Sequence, residues 1–223
     1  MQEFAFDNFE NTRPVLVFDL GSVLIDSTMS FEEALTKSSK IPNELVSSIC
    51  EYINNNYVKN KDKLEYCEEA DYYRYMIDHA PDNIKKYIPT ALAIDTEILK
   101  PFSYTESLLG KLKCEGYKLY YISNWSKWSR DALLRKGTLD FLRHFDGGIF
   151  SCDIHICKPN KGIFVEFFAK YTEMAPCDTY FFDDNSDNIS AAISVGMNGV
   201  LFNKDFHSAQ WIADTFIAGN PSY

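Results

Sequence analysis

Short apolar runs that end in polar residues recur along the chain. The first is VLVF at 15–18, which leads directly into Asp19, so we predict a strand over 15–19. Four later runs of β-branched and aromatic residues predict strands at 118–122, 148–151, 179–182 and 199–202. Segments with apolar residues three and four apart predict helices at 104–117, 126–135, 161–171, 187–195 and 207–217. Strands and helices that alternate at this spacing predict crossover units and a parallel sheet.

Residues 27–99 have a different pattern. They contain no strand-like run and are rich in helix formers, and Pro42 and Pro81 stand where helices should begin. About four helices are expected there. We therefore predict an α/β fold, a Rossmann-like doubly wound parallel sheet with a helical cap inserted after the first strand. The predicted boundaries are 1–26 for the first part of the core, 27–99 for the cap and 100–223 for the rest of the core.

Composition narrows the class of protein. The chain has 223 residues, of which 46% are hydrophobic and 15% aromatic, which is enough for one large core and a smaller inserted unit. Its net charge of -10 argues against a nucleic-acid partner. Its apolar runs are far shorter than the roughly 20 residues of a membrane span. The polar, acidic residues 1–14 do not resemble a signal peptide, and the six cysteines form no CxxC pair. We expect a cytoplasmic protein with free thiols; the oligomeric state stays open.

Polar residues follow the predicted strands and should meet at one edge of the sheet, because ligands bind beyond the carboxyl ends of parallel strands. These residues are Asp19, Ser123, Asn124, Lys158, Asp183 and Asp184. Carboxylates of this kind bind Mg²⁺, while a lysine and a hydroxyl suit an anion. An aspartate can also act as a nucleophile through a covalent intermediate. Together these groups indicate phosphoryl transfer.

Four segments in this order, FDLGSVLID, YYISNWS, CKP and FFDDNSDNISAA, resemble the four motifs of the haloacid dehalogenase superfamily. The resemblance covers the core from about residue 15 to 202. Within the superfamily, the first and fourth motifs are most similar to those of the bacterial α-D-glucose-1-phosphate phosphatases, whereas the cap is much less alike. The implied fold is the same sheet with an inserted cap that sets specificity.

The resemblance implies a Mg²⁺ cofactor. Asp19 and the backbone carbonyl of Gly21 would be metal contacts in the first motif. In the fourth motif, Asp184 would bind the metal directly and Asp183 through water, with Asn188 at the outer polar position.

It also implies how a small phosphorylated metabolite is processed. Asp19 would be the nucleophile. Ser123, with Asn124 beside it, would bind the phosphoryl oxygens, and Lys158 would stabilise the transferred charge. The expected activity is Mg²⁺-dependent hydrolysis of a small phosphomonoester, for example a sugar phosphate, through an aspartyl-phosphate.

Gly21 departs from the common pattern, in which a second aspartate two residues after the nucleophile protonates the leaving group. The glucose-1-phosphate phosphatase subgroup shares this difference. Dehalogenases also lack the acid, because a halide leaves without a proton. A carbon–halogen hydrolase is therefore the first alternative function, and a non-catalytic binding or regulatory protein of the same fold is the second.

Several residues also have a purely structural interpretation. The aspartates are common in turns, and Ser123 and Asn124 could cap the helix that follows. Lys127 and Arg130 either contact substrate phosphate or face water, and for Arg130 we favour water. A run of tyrosines in the predicted cap is more typical of helix packing than of a ligand site; it comprises Tyr66, Tyr72, Tyr73 and Tyr75. No catalytic role is assigned to the histidines.

Overall fold

A computed structural model describes residues 13–60, 64–203 and 206–217, with the side chains of 206–208 outside that description. The expectation that the N-terminus is not a signal peptide falls mostly on residues 1–12, which lie outside the described residues.

A five-stranded parallel sheet forms the centre of the fold. The described strands are β1 Val15–Phe18, β2 Ile25–Ser27, β3 Leu99–Pro101, β4 Leu119–Ser123, β5 Gly147–Phe150, β6 Thr179–Asp183 and β7 Asn198–Leu201. The sheet has the order β5-β4-β1-β6-β7, and all of its neighbouring pairs are parallel. β1 therefore lies in the middle, where its carboxyl end faces the ends of β4 and β6. The predicted α/β fold is confirmed, and each sheet strand lies within one residue of its predicted position.

Helices cover both faces of the sheet. Those with described bounds are α1 Phe31–Lys37, α2 Asn43–Lys59, α3 Glu69–Asp78, α4 Asp82–Lys85, α5 Ile88–Glu97, α6 Thr105–Cys114, α7 Lys127–Arg135, α8 Ser151–Ile154, α9 Gly162–Lys170, α10 Ser186–Ser194 and α11 Phe206–Phe216. Short 3-10 helices at Asp140–His144 and Pro176–Asp178 complete the set with described bounds. No helix within the described ranges combines the length and apolarity that a bilayer span requires.

The sheet buries apolar side chains on both faces. Leu16 and Phe18 of β1 point into one core cluster, and Val17 between them points into the other. All three are fully buried. Covering both faces explains why the strands appear in the sequence as continuous apolar runs rather than as alternating patterns.

Helices α1 to α5, which lie between β2 and β3, pack around a third apolar cluster that includes Leu35, Ile49, Met76 and Leu92. We call residues 27–99 the helical segment. Five described helices stand where about four were predicted. Trp128 of α7 belongs to the same cluster and stacks on Tyr72 with 4.0 Å between the ring centroids. The helical segment therefore packs directly against α7.

Both connections of the helical segment run through a two-stranded antiparallel ribbon, β2 and β3. Asp26 is paired with Lys100, and Ser27 with Leu99. The predicted domain boundaries at 26/27 and 99/100 fall within this ribbon. The division into core and cap domains remains a prediction.

Candidate active site

Asp19 directly follows β1 and lies at the centre of a buried polar cluster. It is 8% exposed, and its backbone N–H donates to the Phe182 carbonyl at 2.8 Å. Its Oδ1 accepts hydrogen bonds from the Ser123 hydroxyl at 2.7 Å and the Leu20 N–H at 2.7 Å, and lies 2.9 Å from Lys158 Nζ. Among the described residues, all donors to this carboxylate reach Oδ1. Oδ2 is therefore the oxygen that has no donor among the described residues.

Lys158 connects two of the predicted carboxylates. Its side chain is 1% exposed, and its Nζ lies 2.6 Å from Asp183 Oδ2 as well as 2.9 Å from Asp19 Oδ1. Two negative charges thus share one buried cation. In the sequence alone, Lys158 is the least informative of the predicted site residues, because most lysines are exposed. Its burial between two acids distinguishes it from a surface charge.

Asp183 is the most enclosed of the three acids, with no exposed surface. Beyond Lys158, it accepts bonds from Asn188 Nδ2 at 2.9 and 3.0 Å and from the Asn185 N–H at 2.9 Å. Each of its oxygens is already engaged by protein donors. This arrangement suits a supporting role at a metal rather than direct coordination.

Asp19, Asp183 and Asp184 each present a carboxylate oxygen, and these oxygens lie within 4.8 Å of one another. Asp184 is the most accessible of the three. Oxygen donors of this kind, few in number and with space for water and substrate oxygens, fit Mg²⁺. Asp19 and Asp184 would hold the ion directly. The predicted contact from the Gly21 carbonyl stays a prediction.

The pKa of Asp19 follows from its surroundings. Burial raises the pKa of this carboxyl above its ordinary value, the Lys158 cation lowers it, and the Asp183 charge raises it again. The net direction is upward. A bound divalent cation would oppose that rise, because a nearby positive charge favours the carboxylate.

Ser123 is the last residue of β4 and its hydroxyl contacts Asp19, and Asn124 follows it. The Ser123 hydroxyl is almost completely buried, and it also accepts a 2.8 Å hydrogen bond from the Trp125 indole. The Asn124 amide forms two bonds with the backbone of Lys158, donating to its carbonyl at 3.0 Å and accepting from its N–H at 2.9 Å. Asn124 therefore fixes the loop that carries the lysine, whereas phosphate binding by its side chain remains a prediction.

Two sequence interpretations near this site can be compared with the structure. The view that Arg130 faces water is wrong: its side chain is 11% exposed and binds Asp131 and Asp153. Lys127 lies 3.2 Å from both Asp131 and Glu68, so it pairs with acids of α7 and the helical segment.

Two tyrosines of the predicted run stack on residues outside the helical segment. Tyr72 stacks on Trp128 as described above. Tyr66 stacks on His155 at 4.1 Å between ring centroids, close to the loop that carries Lys158.

Sequence reasoning missed a further contact at this loop. Glu65 of the helical segment is 5% exposed and accepts a hydrogen bond from the Cys157 thiol at 3.3 Å, and its carbonyl accepts from the Lys127 N–H at 2.8 Å. Glu65 lies among several acids in the sequence KLEYCEEAD, where no pattern marks one as buried. Only the folded arrangement of the helical segment reveals it.

Comparison with known proteins places this arrangement in a family. The model of the haloacid dehalogenase-like hydrolases matches residues 14–196. A glyceraldehyde 3-phosphate phosphatase of Methanothermobacter thermautotrophicus is 30% identical over 116 residues, which are 51% of this chain and 49% of that protein. The matched region thus spans about half the length of this curated relative.

Solved structures share the fold. A HAD family enzyme from Bacteroides thetaiotaomicron, in complex with magnesium and inorganic phosphate, superposes with a TM-score of 0.64 at 21% identity, covering 87% of this chain and 98% of that one. An L-2-haloacid dehalogenase superposes with a TM-score of 0.56 at 14% identity, covering 88% and 87%. At these identities the likeness concerns the fold alone. From the family match, and from the sheet and motifs that agree with it, the chain belongs to the haloacid dehalogenase-like hydrolases.

Proposed function

We propose that this hydrolase is a Mg²⁺-dependent phosphatase of small phosphomonoesters that acts through an aspartyl-phosphate on Asp19. The observation that carries the proposal is the cluster of three carboxylates, two of which share one buried lysine. Three carboxylates and one lysine leave this site with excess negative charge, which a bound divalent cation would offset. That cation and Lys158 together can bind a dianionic phosphate.

The chemistry takes two steps on Asp19. Oδ2 attacks phosphorus, an O–P bond forms, and the bond to the leaving alcohol oxygen breaks with its electron pair. The alcohol takes a proton from water or from a group on the substrate, since Gly21 supplies none. Water then attacks the phosphorus of the aspartyl-phosphate, which releases inorganic phosphate and regenerates the carboxylate.

Each neighbouring group has a distinct part. Lys158 and the Ser123 hydroxyl stabilise charge on the phosphoryl oxygens, and the Asn124 amide keeps the Lys158 loop in place. When bound, Mg²⁺ supplies further charge stabilisation and orients the phosphate. Asp184 and Asp19 would hold it.

Several features support a phosphatase over the alternatives. The name of the curated relative states a phosphate ester as substrate, and one structural neighbour binds magnesium and phosphate. A dehalogenase needs no metal, yet this chain keeps both acids of the fourth motif. Gly21 is the observation that favours a dehalogenase, because a halide leaves without a proton. A non-catalytic role is disfavoured because nucleophile and lysine are both retained.

The closer similarity to α-D-glucose-1-phosphate phosphatases, and a cytoplasmic location, remain parts of this proposal. The decisive experiment is hydrolysis of p-nitrophenyl phosphate with Mg²⁺ and with EDTA, beside chloride release from 2-chloropropionate. We expect Mg²⁺-dependent release of nitrophenol that Asp19→Asn abolishes, with Asp187→Asn as the matched control on an exposed acid of α10. Chloride release without phosphate ester hydrolysis would overturn the proposal in favour of the dehalogenase.

A further inference from the structure

A cavity of about 370 Å³ lies between the helical segment and the start of α7. Its polar lining includes Glu32, Asn54, Tyr57, Asp95 and Ser126, and Trp128 forms part of its aromatic wall. Its volume falls in the range of small-molecule sites, which are typically about 300–1,000 Å³. None of the residues discussed so far as nucleophile or metal ligand lines it.

The Asp95 carboxyl, on α5, is the unusual group in this cavity. It has no hydrogen bond or ion pair with any described residue. Burial raises the pKa of this carboxyl above its ordinary value. A carboxyl in a cavity without protein partners is costly unless something in the cavity binds it. A ligand hydroxyl would provide that bond.

Trp128 and Tyr72 form the aromatic wall of the cavity. The residue is 5% exposed, and its indole Nε1 is buried with no hydrogen-bond partner among the described residues. Because that nitrogen is enclosed by protein atoms, Trp128 lines the cavity through its other atoms. The rings of Trp128 and Tyr72 stack in parallel, and both line the cavity.

The charge of the lining discriminates between ligands. Glu32 and Asp95 are acidic, and no lysine, arginine or histidine is found among the described lining residues. A carboxylate or second phosphate placed here would meet acids and no cation. An uncharged molecule with several hydroxyls would meet hydrogen-bonding groups on a partly aromatic wall, a combination that suits a sugar or polyol.

The cavity lies within reach of the nucleophile. Ser126 lines it and follows Ser123, whose hydroxyl binds Asp19, by three residues. Three residues of extended chain span at most about 11 Å. A phosphomonoester with its phosphorus at Asp19 can therefore extend its leaving group toward the cavity.

We infer that this cavity receives the leaving group of the substrate, and that it selects uncharged polyhydroxyl phosphomonoesters over those with a second anionic group. Asp95 is its specificity-determining residue. The inference rests on the proposed phosphatase function and adds the substrate class to it.

A matched pair of substrates tests the inference: glucose 6-phosphate, and 6-phosphogluconate, which carries an additional carboxylate on a six-carbon frame. The wild-type enzyme should favour the uncharged substrate by at least about tenfold in kcat/KM, a difference of about 1.4 kcal/mol. Asp95→Asn removes the charge at nearly constant shape, and should reduce that preference severalfold, mainly by lowering KM for 6-phosphogluconate. Glu97→Gln, at the exposed end of the same helix, is the control and should leave the preference unchanged.

Should Asp95→Asn fail to fold, Glu32→Gln takes its place in the charge test. Equal kcat/KM for the two substrates in the wild type, or an unchanged preference in the charge variant, would overturn the inference. If the wild-type enzyme does not hydrolyse p-nitrophenyl phosphate, the proposed function itself is overturned.

Discussion

Replacing Gly21 by aspartate should give the enzyme a general acid that its sequence lacks. The position lies two residues after Asp19, and a Cβ built there has no other atom within 4 Å. The backbone of Gly21 is not in the left-handed region, whereas that of the following Ser22 is, with φ 61°. An aspartate at 21 therefore meets neither a steric clash nor a backbone penalty, and we expect the variant to fold as the native chain does.

The size of the effect follows from what a positioned acid contributes. General acid catalysis typically accelerates a step by about 10²–10⁴. That range corresponds to about 2.7–5.4 kcal/mol of barrier. The benefit depends on the leaving group, because nitrophenolate departs readily without a proton and an alkoxide does not. Gly21→Asp should thus leave nitrophenyl phosphate hydrolysis within a fewfold of native, and raise kcat for alkyl phosphates by about 10² or more.

The assay is a series of substituted phenyl and alkyl phosphates measured with the native enzyme and the variant. In the native enzyme kcat should fall steeply as leaving-group pKa rises, and in Gly21→Asp the slope should be shallower. Gly21→Asn is the matched control, because it has nearly the same shape and cannot donate an acidic proton; it should keep the steep slope. A shallow slope in the native enzyme would show that another residue already acts as the acid, and would refute this account of Gly21.

Three further predictions concern stability. Lys158→Met leaves two buried carboxylates without their cation, so in EDTA it should lower the free energy of unfolding by about 3–5 kcal/mol. Millimolar Mg²⁺ should restore part of this; a native-like urea midpoint in EDTA would contradict it. Burial alone would raise the pKa of Asp146, but hydrogen bonds from Lys113 and a backbone N–H outweigh it and leave that pKa below 3.8. Asp146→Asn should therefore destabilise the protein by about 1–2 kcal/mol at pH 7. The difference from wild type should shrink as pH falls from about 4 through the lowered pKa, which urea titrations at several pH values will show. Gly148→Ala would place a Cβ 2.4 Å from the Tyr121 ring, and should cost about 1–3 kcal/mol in chemical denaturation; no loss would mean that the ring moves freely.

A control for the last of these is available in the same chain. A Cβ at Gly110, inside α6, meets nothing closer than 3.8 Å. Gly110→Ala should therefore stabilise the protein by about 0.5–1 kcal/mol, because alanine suits a helix interior better than glycine.

The sequence predicted those features that depend on local pattern and motif order. The five sheet strands were apparent because each is an apolar run, and the residues that follow β1, β4 and β6 were found because parallel strands present their ends together. The shared burial of Lys158 with Asp183 was not apparent, since nothing in CKP states which acids surround the lysine. Arg130 was misjudged for the same reason: its partner Asp153 lies 23 positions away.

The helical segment was the least predictable part. Its apolar spacing indicated helices, but the contact between Glu65 and Cys157 joins residues 92 positions apart. Such a pair depends on how the whole segment folds back over the sheet. Neither the burial of Glu65 nor the absence of partners for Asp95 among the described residues has a signature in the sequence.

The ribbon formed by β2 and β3 has a consequence for how this architecture can change. Because Asp26 and Lys100 are paired directly, the chain leaves the sheet and returns to it at neighbouring points. A two-residue turn could connect the strands at that place without redirecting either one. The intervening residues 27–99 can therefore be exchanged for a shorter or unrelated insertion while β1 and the later strands keep their register. Under the proposed function, a new substrate preference is thus reachable by replacing one continuous stretch of gene, with Asp19 and Lys158 left in place.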